Sequence, residues 1–497
     1  MNGQSGSTTI GQLDPTLVWQ LFADFCTVPH GSKKEERIRA HMKALAEKHH
    51  FVAREDAVGN LVIEVPASPG CENAPITVLQ GHLDMVCEKN TGTPHDFDRD
   101  PIRPVIDQDE KGREIVRAQG TTLGADNGIG VCLAFAAAIA PDVKHGPLEL
   151  LLTIDEEAGM TGAKALQPDF FKGKKLINLD SEEDDALYIG CAGGCDVTHT
   201  WEFKTTPPPS GVEAARIRVS GLRGGHSGCD IHWNRSSAIK LLTQVLRTSE
   251  NLIRLASFNG GSKRNVIPRE ASAVVVGSAR TIRALGRAAE QVKAEAVSEY
   301  KEDKCEIVVE KVAMSEAAAV LTPSDTQRFL TTLAALPHGV LAVVPEIPGL
   351  IQTSNSTSTV ESKAEAGKLR VTIGCLARSS SMPQLEAAVR QIMAVGTLAG
   401  AAVESGNGYP GWQPDVNSPL LATCRRLYEQ MFTDAPKVMA IHAGLECGLI
   451  GERMGKMDMI SFGPLIVGPH SPDEKVYVAT VKKIWDYLKA VLAELTK

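Results

Sequence analysis

The chain alternates short apolar runs with polar turns, and four of these runs lead into acidic or histidine-bearing motifs. ITVLQ precedes Gly81, LELLLTI precedes Asp155, KLIN precedes Leu179, and MISFG precedes Pro464. Runs of this length and β-rich composition predict buried strands. Residues 17–28 and 33–48 predict helices, and the almost wholly apolar stretch 128–140 predicts a helix buried against a sheet. This alternation, sustained to about Asp196, predicts a mainly parallel α/β domain flanked by helices.

Around residues 205–211 the run TTPPPSG breaks the pattern, and three prolines in a row read as a linker or domain crossing. Beyond it, ARIRVSG, SAVVVGSA, CEIVVEKV and KLRVTIGCLA read as strands, with helices near 281–299, 326–335 and 383–398. After Gly396 the first character returns. The expected organisation is one discontinuous domain of residues 1–200 and 396–497, with an α+β domain of residues 201–395 inserted in it.

At 497 residues the chain exceeds what a single core supports. Its net charge of −8, without a block of like charges, argues against nucleic acid or an anionic membrane as partner. No basic and apolar leader opens the sequence, and the longest apolar stretch, 131–140, is far short of a membrane span. Eleven scattered cysteines predict reduced thiols in a cytoplasmic setting, with Cys191 and Cys195 of CAGGC as ordinary interior residues.

Five motifs carry the candidate chemistry: GHLD with His82 and Asp84, GADNG with Asp126, DEEAG with Glu156 and Glu157, NLDSE with Asp180, and GPHSP with His470. Taken singly, each has a bland role, such as a surface His-Asp pair, a turn or helix cap at Asp126 and Asn127, or a solvated loop histidine. Taken together they change meaning, because ligand sites in open α/β sheets form at the carboxyl ends of strands. Two imidazoles and three or four carboxylates on one sheet edge suit a metal site. His82 and Asp84, two apart on a strand, share a face, so Asp84 can orient the His82 ring. Adjacent Glu156 and Glu157 repel unless a cation or proton intervenes, so one can ligate while its neighbour handles a proton. The glycine-rich GLRGGHSG lacks the Lys-Ser/Thr of a phosphate loop, and its His226 reads as a mobile electrophile or inter-domain contact.

With all five in order, the chain resembles the aminoacylase/carnosinase superfamily of two-zinc metallopeptidases, and within it the aminoacyl-histidine dipeptidases. The matching segments are GHLDMVCEKN, GTTLGADNGIG, LLLTIDEEAGMTGA, LINLDSEE, RGGHSGCDIH, YPGW, HAGLECG and SFGPLIVGPHSPDE. The NRSSA stretch after His232 departs from the pattern, which bears on packing of the inserted domain. The resemblance implies a zinc-peptidase catalytic domain with an inserted lid, and hydrolysis of dipeptides, Xaa-His and carnosine-like ones included. It implies two divalent ions, zinc foremost with manganese or cobalt as alternatives. His82, Asp126 and Asp180 would hold one, and Asp126, Glu157 and His470 the other. Glu156 would be general base, Asp84 the residue orienting His82, and His226 the carbonyl-polarising group. Asn265 and Arg378 would hold the substrate. A cis peptide after Asp126 and a homodimer formed through the lid are further implications. A tripeptidase, a carboxypeptidase or an N-acyl-amino-acid hydrolase would share the metals but not the pocket, and a scaffold without catalysis is a different class again.

Overall fold

The computed structural model describes residues 9–345, 347, 349–365 and 367–497. The chain divides into two compact units. One comprises residues 1–190, 414–440 and 446–497, the other 191–413 and 441–445.

The first unit is built on an eight-stranded sheet ordered Val52–Glu55, Leu61–Val65, Leu148–Thr153, Thr77–His82, Lys175–Asn178, Asp458–Ser461, Ala186–Cys191, Lys437–Ile441. Its four central strands, from Leu148–Thr153 to Asp458–Ser461, run parallel, while Val52–Glu55 and Leu61–Val65 flank them antiparallel. Leu148–Thr153 and Thr77–His82 are buried along their whole length, which is why they read as continuous apolar runs. Helix Ala125–Ile139 packs on Thr77–His82, and helix Thr16–Phe25 packs on that helix in turn. Trp19, Phe22, Phe135 and Leu79 are almost fully buried. Because the central strands are parallel, their carboxyl ends share one edge. His82 ends one strand, Glu156 and Glu157 follow Thr153, and Asp180 follows Asn178. A smaller four-stranded sheet contains the hairpin Ile466–Val467 and Lys475–Tyr477, with His470 in its loop.

The second unit carries a nine-stranded antiparallel sheet. Helices Ala238–Arg247, Ala279–Tyr300, Pro323–Ala335 and Met382–Leu398 pack with it around Trp201, Phe258 and Phe329. Ser278 and Thr322 start two of these helices by accepting hydrogen bonds from the Thr281 and Asp325 amides.

The TTPPPSG run does not cross between the units. It joins Gly193–Lys204 to Glu213–Ser220 inside the second unit, and the crossing falls earlier, at Gly190. Prolines end a strand because they cannot donate to the ladder, and that local effect says nothing about domain borders. The return falls at Pro414, since Met382–Leu398 and Ala402–Tyr409 both belong to the second unit. Cys191 is buried but Cys195 only half-buried, so CAGGC is not wholly interior. No helix among the described residues is long and apolar enough to cross a membrane.

Candidate active site

His82 is 1% exposed. Its Nδ1 lies 3.0 Å from the Asp84 carbonyl oxygen and 3.4 Å from Asp84 Oδ1. A proton on Nδ1 donated there leaves the Nε2 lone pair directed the other way. Nε2 faces Asp126 Oδ1 at 3.1 Å and Asp180 Oδ1 at 3.5 Å. From the hairpin loop, His470 Nε2 lies 3.3 Å from Asp126 Oδ2 and 2.9 Å from Glu157 Oε2. Asp126 therefore turns one oxygen to each imidazole. The geometry brings His82, Asp126, Asp180, Glu157 and His470 together.

Local structure explains how each arrives. Gly124, at φ 73°, turns the chain into the start of helix Ala125–Ile139, where Asp126 keeps non-helical backbone, and the Asp126–Asn127 peptide is cis. Asn127 does not cap that helix. Its side-chain amide donates to the Leu179 carbonyl at 2.8 Å, tying the Asp126 turn to the strand end that precedes Asp180. Asp84 has a second task beside His82, since Oδ1 and Oδ2 accept the amides of Glu156 and Glu157 at 3.0 and 3.2 Å. Asp155 enters that turn in the left-handed region, and Thr161 donates to its Oδ2 at 2.6 Å.

So many carboxyl groups in one buried place perturb each other. Burial opposes a charge on His82, yet Asp180, Asp126 and Asp84 outweigh it and hold the imidazole pKa well above its usual value. Hydrogen bonds to Asp126 and Glu157 raise His470 to about 11. Burial would raise Asp126, but its bonds from His470 and His82 win and keep it well below the carboxylate range. Asp180 rises to about 7 and Glu182 to about 8, each chiefly through burial, with neighbouring carboxylates adding to it. Burial also holds Glu156 well above the usual range, opposed by His82 and reinforced by Asp180, Glu446 and Glu157. The opposite displacement of carboxylates that share one place is the behaviour of an acid–base site.

The donor set fits a pair of divalent ions. His82, Asp126 and Glu157 offer atoms within 4.8 Å of one another, and Glu157 Oε1 is buried without a hydrogen-bond partner. Imidazole nitrogens mixed with carboxylate oxygens suit zinc and its first-row neighbours.

The other candidates lie in the second unit. The Gly228 and Cys229 amides donate to His226 Nδ1 at 3.3 and 3.0 Å, which places the proton of the neutral ring on Nε2. Burial, and then Arg378, lower His226 to about 4, so it is a neutral donor at pH 7. Arg378 is 4% exposed, donates to Tyr409 Oη at 2.7 Å and lies 3.4 Å from His226 Nε2. Its Nε is buried without a partner. Asn265 is exposed, and its carbonyl accepts the Ser227 amide at 2.8 Å, one residue from His226.

Several neighbours were not singled out in the sequence. Glu446 is fully buried, takes hydrogen bonds from Thr153 and Gln80 at 2.6 Å each, and rises to about 7, mainly through burial. Tyr409 and His442 flank Arg378 chemically. His442 Nε2 lies 2.7 Å from Ser354 Oγ, and burial followed by Arg378 lowers it to about 3. The signal was present in the YPGW and HAGLECG matches, which contain Tyr409, His442 and Glu446 but suggest no role. Glu474, four residues after His470, likewise closes the SFGPLIVGPHSPDE match, which suggests no role for it.

This fold and donor set define a class. Residues 78–494 match the peptidase family M20/M25/M40, and the chain belongs to that family of hydrolases. The cytosol non-specific dipeptidase of Escherichia coli K12 is 41% identical over 98% of this chain and 99% of its own length. The crystal structure of aminoacylhistidine dipeptidase from Vibrio alginolyticus superposes with TM-score 0.89 at 42% identity, covering 98% of both chains. An aminopeptidase from Bacillus cereus, at TM-score 0.59 and 16% identity over 98% of this chain and all of its own, shares the fold.

Proposed function

We propose that the protein is a metal-dependent dipeptidase, acting on Xaa-His and other dipeptides. The observation that carries this reading is Asp126, whose two oxygens each face a separate imidazole, beside Asp180 on one side and Glu157 on the other. His82, Asp126 and Asp180 hold one divalent ion, and Asp126, Glu157 and His470 the second. Zinc is the proposed metal, with manganese and cobalt as substitutes. When bound, the two ions supply Lewis acidity and a nucleophile at neutral pH.

The residues do the rest. Asp84 fixes the His82 ring and, through the two amides it accepts, the turn bearing both glutamates. Glu156 takes a proton from the attacking water and returns it to the leaving amine. His226, neutral with Nε2–H, donates to the carbonyl oxygen as charge develops there. Arg378 binds the substrate carboxylate through its planar fork, and Asn265 holds a further polar group. The first unit, residues 1–190, 414–440 and 446–497, serves as the catalytic domain, and the second as a lid through which two copies pair. Strand Gly339–Val343 supports that pairing, because among the described strands it pairs with Ile351–Glu365 alone and leaves Val340, Leu341 and Val343 exposed. The relative named as a cytosol enzyme supports a cytoplasmic location.

Glu156→Gln tests the reading against a panel of dipeptides, tripeptides and N-acyl-amino acids. It should keep both metals and lose about 10²–10⁴ in turnover, the range for a positioned general base. Loss of metal with turnover per bound metal unchanged would reverse the roles of Glu156 and Glu157. A chelated, verified metal-free preparation that still cleaves dipeptides would sink the mechanism.

A further inference from the structure

Glu474 is 2% exposed, and both of its carboxylate oxygens are engaged by backbone amides from one distant segment. Oε2 accepts the amides of Leu123 and Gly124 at 2.6 and 3.0 Å, and Oε1 those of Ala125 and Asp126 at 2.8 and 3.3 Å. Four successive N–H groups thus close on one side chain, the last of them belonging to Asp126 itself. Glu474 also stands at the base of the loop that carries His470. Its amide donates to the Ser471 carbonyl at 3.0 Å, and the next residue pairs with Val467 to close the hairpin.

We propose that Glu474 is a positioning residue that staples the Leu123–Asp126 turn to the His470 hairpin, and so sets the divalent-ion affinity of the site that Asp126 and His470 share. This rests on the reading of Asp126, Glu157 and His470 as ligands. The staple is suited to the task because its bonds are independent of the ligand atoms: it grips the backbone on both sides and leaves Asp126 Oδ2 and His470 Nε2 to face each other at 3.3 Å. Charge-assisted bonds to a carboxylate are also stronger than amide–amide bonds. In Glu474→Gln one oxygen becomes an NH₂ group that confronts two backbone donors, so two buried N–H groups lose their acceptor. The turn must then shift relative to the hairpin. Glu474→Asp keeps the charge, but its shorter side chain cannot reach both pairs of amides without moving the loop.

The experiment is a titration of metal-free wild type, Glu474→Gln and Glu474→Asp with Zn²⁺ against a chromophoric chelator, with the visible spectrum of Co²⁺-loaded protein as a second readout. Wild type should take two ions. Glu474→Gln should weaken the ion held with His470 about 10–100-fold, the usual effect of removing a group that orients ligands, and weaken the other, which also uses Asp126 but not the hairpin, by clearly less. The Co²⁺ spectrum of the His470 site should change, turnover should recover in excess metal, and Glu474→Asp should fall between. A folded Glu474→Gln with both affinities at wild-type values and only a lower melting temperature would overturn the inference. If Glu474→Gln does not fold, the same titration of Glu474→Asp decides. Two undiminished sites in His470→Ala would overturn the ligand reading, and this inference with it.

Discussion

Gly81→Ala should damage both stability and metal binding, although it adds one methyl group next to, not at, a candidate ligand. Gly81 lies in the buried strand Thr77–His82, and a Cβ there would stand 2.2 Å from Asn127 Oδ1 and 3.4 Å from Val131 Cγ2. The Asn127 side chain must therefore retreat by roughly 1 Å to reach ordinary contact, and repacking a full interior in this way costs about 1–3 kcal/mol. It has little room to retreat. Gly130 is closely approached by both Asn127 amide atoms and by the Leu179 carbonyl, and the Asn127–Leu179 bond fixes the other end. Breaking that buried bond adds about 1–3 kcal/mol, while removing glycine from the unfolded chain returns about 0.4–1 kcal/mol. The net loss is about 2–5 kcal/mol, or a melting temperature lower by roughly 5–15 °C for a unit of this size. Because Asn127 sits between Asp126 and the strand end before Asp180, metal affinity should fall as well. Gly286→Ala is the control. It lies in helix Ala279–Tyr300 with open space around it and should gain up to about 1 kcal/mol. Thermal melts and metal titration of the two variants provide the measurement. A Gly81→Ala protein that melts within 2 °C or so of wild type and binds metal normally would refute the reasoning.

His226→Ala should cost about 10²–10³ in turnover with metal content unchanged, the effect of deleting one donor to a developing oxyanion; near-normal kinetics would dismiss that role. Arg378→Met should raise KM for dipeptides far more than Arg378→Lys, and amidating the substrate carboxylate should reproduce the loss in wild type and add little in the Met variant. Equal losses on amidation in both proteins would assign the carboxylate to another residue. Metal-free protein should lose thermal stability as pH rises from about 5 to 9. Asp180 near 7, Glu182 near 8 and His470 near 11 all stand above their ordinary values, so the folded state holds the extra protons and its advantage drains away as pH passes through those values. Bound metal should flatten the profile, and a flat or rising profile without metal would contradict the assignment.

What could be read in the sequence, and what could not, divides along the distance over which a residue acts. The apolar runs before Gly81, Asp155 and Leu179 became the parallel strands Thr77–His82, Leu148–Thr153 and Lys175–Asn178, because a strand buried on both faces must be apolar throughout. The ligand candidates were legible for the same reason: each sits at a strand end or in a turn beside it. Glu474 and Glu446 were not. Their partners are the amides of 123–126 and the side chains of Thr153 and Gln80, which lie hundreds of residues away along the chain. Neither residue has a periodicity or spacing that could announce such a pairing. Asn127 has the local context of a turn or helix start, whereas its carboxamide is used across the sheet edge on Leu179. Local rules miss residues that join segments, and these residues hold the strand ends at the separations the site requires. A carboxylate left to itself amid Asp126, Asp180, Glu157 and Glu156 would be driven outward by repulsion. Backbone amides at Asp84 and Glu474, and the carboxamide of Asn127, fix the chain against that force. The site can therefore keep its charge concentrated and still remain part of a folded core.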